Sequence, residues 1–178
     1  MDLLTANDQA GCYPQSYYAD TARLLPKLPQ ASGSLTCDVC VVGGGYTGLS
    51  SALHLARRGY DVILLDAQRV GFGASGRNGG QICQGQRLDQ DRLEAMVGHD
   101  LARTMWKIAN QSVDLVRELA ASDLVDAQVY DGIIHADHRP RFLQNSLEYA
   151  KKLNNEYGYD KIRGITRDEI RVMVGSDA

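Results

Sequence analysis

The sequence has almost no surplus of charge of one sign: 19 lysines and arginines face 22 aspartates and glutamates, a formal net charge of −3. A basic face able to track nucleic-acid phosphates or to dock on an anionic membrane is therefore not expected. Long hydrophobic runs are missing too. The longest are of strand length, far short of the roughly 20 residues that a membrane-spanning helix needs. The opening stretch MDLLTANDQAGCYPQSYY has Asp2 where a signal peptide carries positive charge, and it has no apolar core. A cytoplasmic location is the expectation. Cysteine is sparse, and Cys12, Cys37, Cys40 and Cys83 do not form the pattern of a disulfide framework. CDVC at 37–40 has the spacing of a redox pair or half a zinc site. No second cysteine or histidine pair stands at a suitable distance, and residues three apart on a strand point to opposite faces. His135 and His138 in HADH have no third ligand nearby. No metal site is expected, and there are no repeats or low-complexity tracts.

Glycine, in contrast, is plentiful, with 18 residues. Residues 1–36 hold three of the four prolines and read as an extended leader with little regular structure. From Asp38 the pattern sharpens. DVCVV reads as a short buried strand, and GGGYTGLSSALHLARRG opens on glycines and turns helical. Leu49, Ala52, Leu53 and Ala56 share one face of that helix. Arg57 and Arg58 suit its negative end, and Gly59 fits the left-handed residue that closes it. YDVILLD is a second buried strand ending at Asp66. Strand, turn, helix and strand make one βαβ unit with parallel strands.

Downstream, Leu101, Met105, Ile108, Ser112, Leu115 and Leu119 recur every three to four residues and predict an amphipathic helix over about 99–121, with His99 and Trp106 in packing roles. AQVYDGIIHAD predicts a strand around 127–136. A helix follows over 140–157, with Pro140 in its first turn and Gly158 beyond its end. Thr166 and Glu169 form a capping-box pattern that starts a last helix, which Gly175 would close.

The βα turn, Gly43-Gly44-Gly45-Tyr46-Thr47-Gly48, matches G-x-G-x-x-G at Gly43, Gly45 and Gly48. It follows a strand, opens a helix, and has an acid, Asp66, 18 residues beyond the last glycine. In that context Gly43 makes the tight turn, Gly45 admits a pyrophosphate to the backbone, and Gly48 lets helix pack on strand. The anion would rest on the unpaired N–H groups at the helix start, and Asp66 would accept hydrogen bonds from ribose hydroxyls. A carboxylate there disfavours the 2′-phosphate of NADP, even with Arg69 nearby. NAD and FAD share the ADP half, so the turn alone does not separate them. The second glycine run, RVGFGASGRNGGQ, begins its glycines five residues after Asp66, at the end of the sheet where ligands sit. It can lie along an extended cofactor toward a bulky planar ring.

These segments, DVCVVGGGYTGLSSALHLARRGYDVILLDAQRVGFGASGRNGGQ above all, resemble the FAD-dependent amine and amino-acid oxidases of the D-amino-acid oxidase, glycine oxidase and sarcosine oxidase superfamily. GASGRNGGQ, the leader YPQSYYADTA and DGIIHADHRPR are most similar to the gamma-glutamylputrescine oxidase branch. The resemblance implies an α/β, Rossmann-like FAD-binding βαβ domain with the beginning of an α+β substrate domain. In that frame residues 1–36 are the leader, 37–122 the FAD-binding part and 123–178 the start of the substrate domain. The cofactor site carried over from the family comprises Gly43, Gly45, Tyr46, Thr47, Gly48, Asp66, Ala67, Ala74, Ser75, Arg77, Asn78, Gly79, Gly80 and Gln81. The implied reaction oxidises a C–N bond of a small amine or amino acid: hydride passes to FAD, the imine hydrolyses, and dioxygen reoxidises the flavin to give peroxide. No catalytic residue is singled out. Family members are more than twice this length, so the chain is expected to be an N-terminal part whose partners are the remainder of the oxidase or further copies of itself, beside the amine substrate. An NAD-dependent dehydrogenase and a non-catalytic nucleotide-binding fragment or subunit are the alternatives.

Overall fold

A computed structural model describes residues 8–122, 127–137 and 139–175. They fall into two compact units, the first ending at Gln81 and the second starting at Ile82.

The first unit is built on the βαβ element. Strand β1 (Val39–Val42) pairs in parallel with β2 (Val62–Leu65), Val39 opposite Val62 and Val42 opposite Leu65. A helix bridges them, and it becomes α2 once the leader contributes α1 (Tyr17–Thr21), a single turn capped by Ser16. Helix α2 (Tyr46–Arg57) ends at Arg58, with Gly59 at φ +90° just beyond. The branched residues at 39–42 and 62–65 favour the pleated, two-sided environment of a parallel pair. That environment is only half built among the described residues. No residue of α2 is buried, and Val42 is 83% exposed.

The second unit is helical. Helices α3 (Gln90–Val97) and α4 (His99–Ala120) meet at Gly98, whose φ of +81° turns the chain between them. Then come α5 (Pro140–Tyr157) and α6 (Arg167–Val174). Pro140 opens α5, and Gly158 closes it in the left-handed conformation. The Thr166–Glu169 capping box is formed, and Gly175 ends α6 in the same conformation.

Three sequence expectations are corrected here. The two strands expected to be buried form, but neither has a buried residue, because no further layer covers them among the described residues. The long helix is present, but the face it buries is Ala102, Trp106, Ala109 and Val113, one position round from the expected stripe. Leu101 and Ile108 are more than half exposed. The alanines let neighbouring chain come close, and Trp106 fills the space with edge-on contacts to Tyr157 and Tyr159 at 5.6 and 5.5 Å. The strand expected at 127–136 does not form: residues 127–137 carry no regular structure. A strand needs a ladder partner, and none is present among the described residues. Of the HADH pair, His135 lies beside Asp137 and His138 falls outside the described residues.

Lys152 ties α5 to α3. Its Nζ donates to Asp91 Oδ1 and Glu94 Oε2, both at 2.6 Å, and lies 3.8 Å from Glu156 Oε2. The bond from Lys152, followed by that from Tyr157 Oη, holds the Glu94 carboxyl below its ordinary value. For Lys152, burial works to lower the pKa, but the bonds to Asp91 and Glu94 outweigh it and raise the ammonium above its ordinary value. The depressed Glu94 contributes stability above about pH 4.5 that is lost as pH falls through its lower folded value. The raised Lys152 contributes stability below about pH 10.5 that is lost as pH rises through its higher folded value. Lys152→Met should therefore cost about 1–3 kcal/mol at pH 7. In denaturant titrations the gap from the parent should narrow as the pH drops below the ordinary glutamate range. An equal gap at pH 3 and pH 7 would show that the ion cluster is not its source.

Candidate cofactor site

The turn between β1 and α2 shows why glycine is required at two positions. Gly43 has φ +103°, a conformation that side chains disfavour. At Gly48 a Cβ would lie 1.9 Å from Gly43 O and 3.4 Å from Val41 Cγ1, so helix and strand meet there with no room for a methyl group. Gly45 is the N-cap of α2, which has no side-chain cap and no acid in its first turn. No acid of the helix itself thus neutralises the positive end of its dipole.

Asp66 follows β2 directly. Its Oδ2 accepts the Gly44 N–H and its Oδ1 the Gln68 N–H, both at 2.7 Å. The exposed carboxylate therefore already braces the glycine turn and the start of the second loop, and each oxygen retains a lone pair for another donor.

That second loop folds back over the turn. Gly71 N–H donates to Gly44 O at 2.8 Å. A short 3-10 turn, Ala74–Gly76, brings Ser75 Oγ to accept the Tyr46 N–H at 3.0 Å. Asn78 Nδ2 donates to Tyr46 Oη at 3.2 Å and to the carbonyls of Ala74 and Ser75. Gly80, at φ +68°, donates its N–H to Asn78 Oδ1 at 2.8 Å. Arg77 donates its Nε to Phe72 O, and its Nη1 meets Asp8 at 2.9 Å. Gly79 has open space beside it: a methyl carbon there would have only Tyr18 Oη nearby, at 3.9 Å. Thr47, Ala67, Ala74 and Gln81 are exposed.

The structure thus brings together Gly43, Gly45, Tyr46, Gly48, Asp66, Ser75 and Asn78, which lie in two segments of the sequence. A cleft of about 260 Å3 opens beside them, with Tyr13, Tyr18, Tyr46, Phe72, Ser75 and Asn78 among its lining residues. The helix start, whose first N–H is met only by the neutral Ser75 hydroxyl, the glycines pressed on backbone and the acid at the end of β2 suit the phosphates and ribose of a dinucleotide. Arg69 is engaged elsewhere, 4.3 Å from the centroid of the Tyr13 ring and donating to Leu25 O. Sequence reasoning did not find Gly44, whose N–H meets Asp66, or the leader residues beside the loop. Contacts across 22 and 57 residues leave no local periodicity.

Among the described residues, one group elsewhere has the makings of a metal site: Glu94, His99 and Glu156 place three ligand atoms within 4.8 Å of one another. The Lys152 ammonium, bonded to Glu94, supplies the positive charge there.

Comparison with known proteins agrees with the geometry. The family model of the FAD dependent oxidoreductases, DAO, matches residues 38–177, and the chain belongs to that family. FAD is the family's cofactor. Among individual proteins, the chain is 40% identical over 165 residues to gamma-glutamylputrescine oxidoreductase of Escherichia coli (strain K12), covering 93% of this chain and 38% of that protein. It is 35% identical over 161 residues to the probable oxidoreductase OrdL of Rhizobium meliloti (strain 1021), covering 90% and 38%. OrdL of Haemophilus influenzae is 32% identical over 163 residues, with 92% and 38% covered. The chain therefore spans 38% of the length of these relatives. No solved structure matches it.

A role for Asp66 beyond bracing the turn predicts a measurable loss. Asp66→Ala should weaken FAD binding by about 1.5–3 kcal/mol, the range for a hydrogen bond to a charged group. Titration by quenching of flavin fluorescence reads it, and equal affinity in mutant and parent would remove Asp66 from the site.

Proposed function

We propose that this chain is the FAD-binding part of an oxidoreductase that oxidises the C–N bond of a small amine of the gamma-glutamylputrescine kind, with dioxygen as the final electron acceptor. The observation that carries the reading is the glycine turn at the start of α2, closed over by Ser75 from the second glycine-rich loop. The 40% identity to gamma-glutamylputrescine oxidoreductase supports the substrate class.

FAD, when bound, supplies the hydride-accepting chemistry, and the protein's contribution is binding, orientation and electrostatics. In this chain the α2 N-terminus would hold the pyrophosphate, and Asp66 the adenosine ribose. Ser75, Asn78, Gly79, Gly80 and Gln81 would line the path toward the ring, with Ala67 and Ala74 at its margins. The exposed strand residues of the βαβ unit would be covered by further oxidase chain or, in isolation, by a second copy. The test is amine oxidation by a protein that joins this chain to the rest of an oxidase. Gamma-glutamylputrescine should bleach the flavin band without oxygen and yield peroxide with it. A flavin that the amine leaves oxidised would refute the substrate class, and bleaching without peroxide would refute dioxygen as acceptor.

A further inference from the structure

We propose that residues 8–25 are a strap that holds the second glycine-rich loop in its cofactor-binding shape, with Tyr13 and Asp8 as its positioning residues. The inference rests on the flavin reading above. The leader has little internal reason to be ordered, since α1 is five residues long and buries none of them. Its long-range bonds go to the loop. Tyr13 Oη donates to Val70 O at 2.6 Å, and the face of the same ring carries the Arg69 guanidinium. Arg69 in turn donates to Leu25 O. The Gly11 N–H donates to Gln68 Oε1 at 2.7 Å. Asp8 pairs with Arg77 at 2.9 Å, and that guanidinium also lies over the Phe72 ring, 4.9 Å from its centroid.

The loop has few means of holding itself. Beyond Asp66 its only regular element among the described residues is the three-residue 3-10 turn, and Gly71 and Gly80 give its backbone unusual freedom. A loop that must be ordered as the ligand arrives subtracts that ordering cost from affinity. The glycine turn holds one side of it through Gly71 to Gly44 and Tyr46 to Ser75. The leader holds the other through Gln68, Arg69, Val70 and Arg77. Asp8 thus acts on the cofactor through the loop, and Tyr13 holds the loop while also lining the cleft, without either belonging to a glycine motif.

The variants are Tyr13→Phe, which removes one hydroxyl and keeps the ring, Asp8→Ala, which removes the ion pair, and the two combined. FAD affinity is read by fluorescence quenching. Loop order is read separately, as the rate of trypsin cleavage after Arg69 and Arg77 in flavin-free protein, relative to cleavage after Arg167. Loss of the Tyr13 bond corresponds to about a fivefold change, and loss of the partly exposed Asp8 ion pair to about a twofold one. The double variant should therefore bind FAD roughly tenfold more weakly. Its loop cleavage should rise by a similar factor, with Arg167 unaffected. Parental FAD affinity in the double variant overturns the proposal, whether or not cleavage changes. A uniform rise at all three arginines also overturns it, because that would mean general loosening. If the parent bound no flavin, the flavin reading would fall, and the cleavage ratio would still decide whether the leader orders the loop.

Discussion

Gly48→Ala should cost about 3 kcal/mol or more of folding stability, the upper end for forcing atoms into filled space. The sign of that result is informative. In an exposed helix interior, alanine is better than glycine by about 1 kcal/mol, because it loses less backbone entropy. Gly48 lies within the first turn of α2, so propensity alone would make the variant more stable. The structure opposes this, because the new methyl carbon would stand 1.9 Å from Gly43 O and 3.1 Å from Gly43 C, both backbone atoms that no rotamer change can move aside. Either α2 lifts off β1 or the turn at Gly43 opens, and both destroy the surface on which phosphates would rest. Urea titration of the variant beside its parent reads the difference, and a stabilised Gly48→Ala would mean that helix and strand are not in contact there.

The second large effect has the opposite character. Gly79→Val should leave the fold intact and strip it of cofactor. A methyl carbon at Gly79 meets nothing closer than Tyr18 Oη at 3.9 Å, so the protein itself has room for a larger side chain. If the main chain at Gly79 lies against the flavin, a branched side chain occupies the ring's place. Purified Gly79→Val should then match the parent in circular dichroism and melting temperature while carrying little or no flavin. Full flavin content would show that this stretch is only a turn. Together the two variants separate two reasons for glycine: contact with the protein's own backbone at Gly48, and contact with a ligand at Gly79.

The parts of the molecule that could be read from the sequence are those whose causes are local. The βαβ unit follows from two short branched runs around a glycine turn. Helices α5 and α6 follow from Pro140, Gly158, the Thr166–Glu169 box and Gly175, each of which acts within one turn of the residue that carries it. Helix α3 also had a local signal, Asp89 accepting the Arg92 N–H at 2.9 Å, that sequence reasoning passed over. Elsewhere the deciding partner is distant. Periodicity located α4 but pointed to Leu101 and Ile108, whereas packing buries Ala102 and Trp106, because small residues and one large ring fit what lies opposite. Residues 127–136 have the composition of a strand but no strand to pair with among those described. At the site, the glycine motif and Asp66 were legible as a pattern. The Asp66 bond to Gly44 and the Tyr13 bond to Val70 were not, since they join residues 22 and 57 positions apart.

The central claim is that the glycine turn, Asp66 and the second loop together take FAD. The most direct test is a titration of the flavin-free protein with FAD and, separately, with NAD, followed by flavin fluorescence and by calorimetry. The account predicts saturable, one-to-one binding of FAD, with NAD binding far more weakly. FAD binding should be lost in Gly79→Val and weakened in Asp66→Ala. Tight NAD binding with no FAD binding, or FAD affinity unmoved by both substitutions, would contradict it.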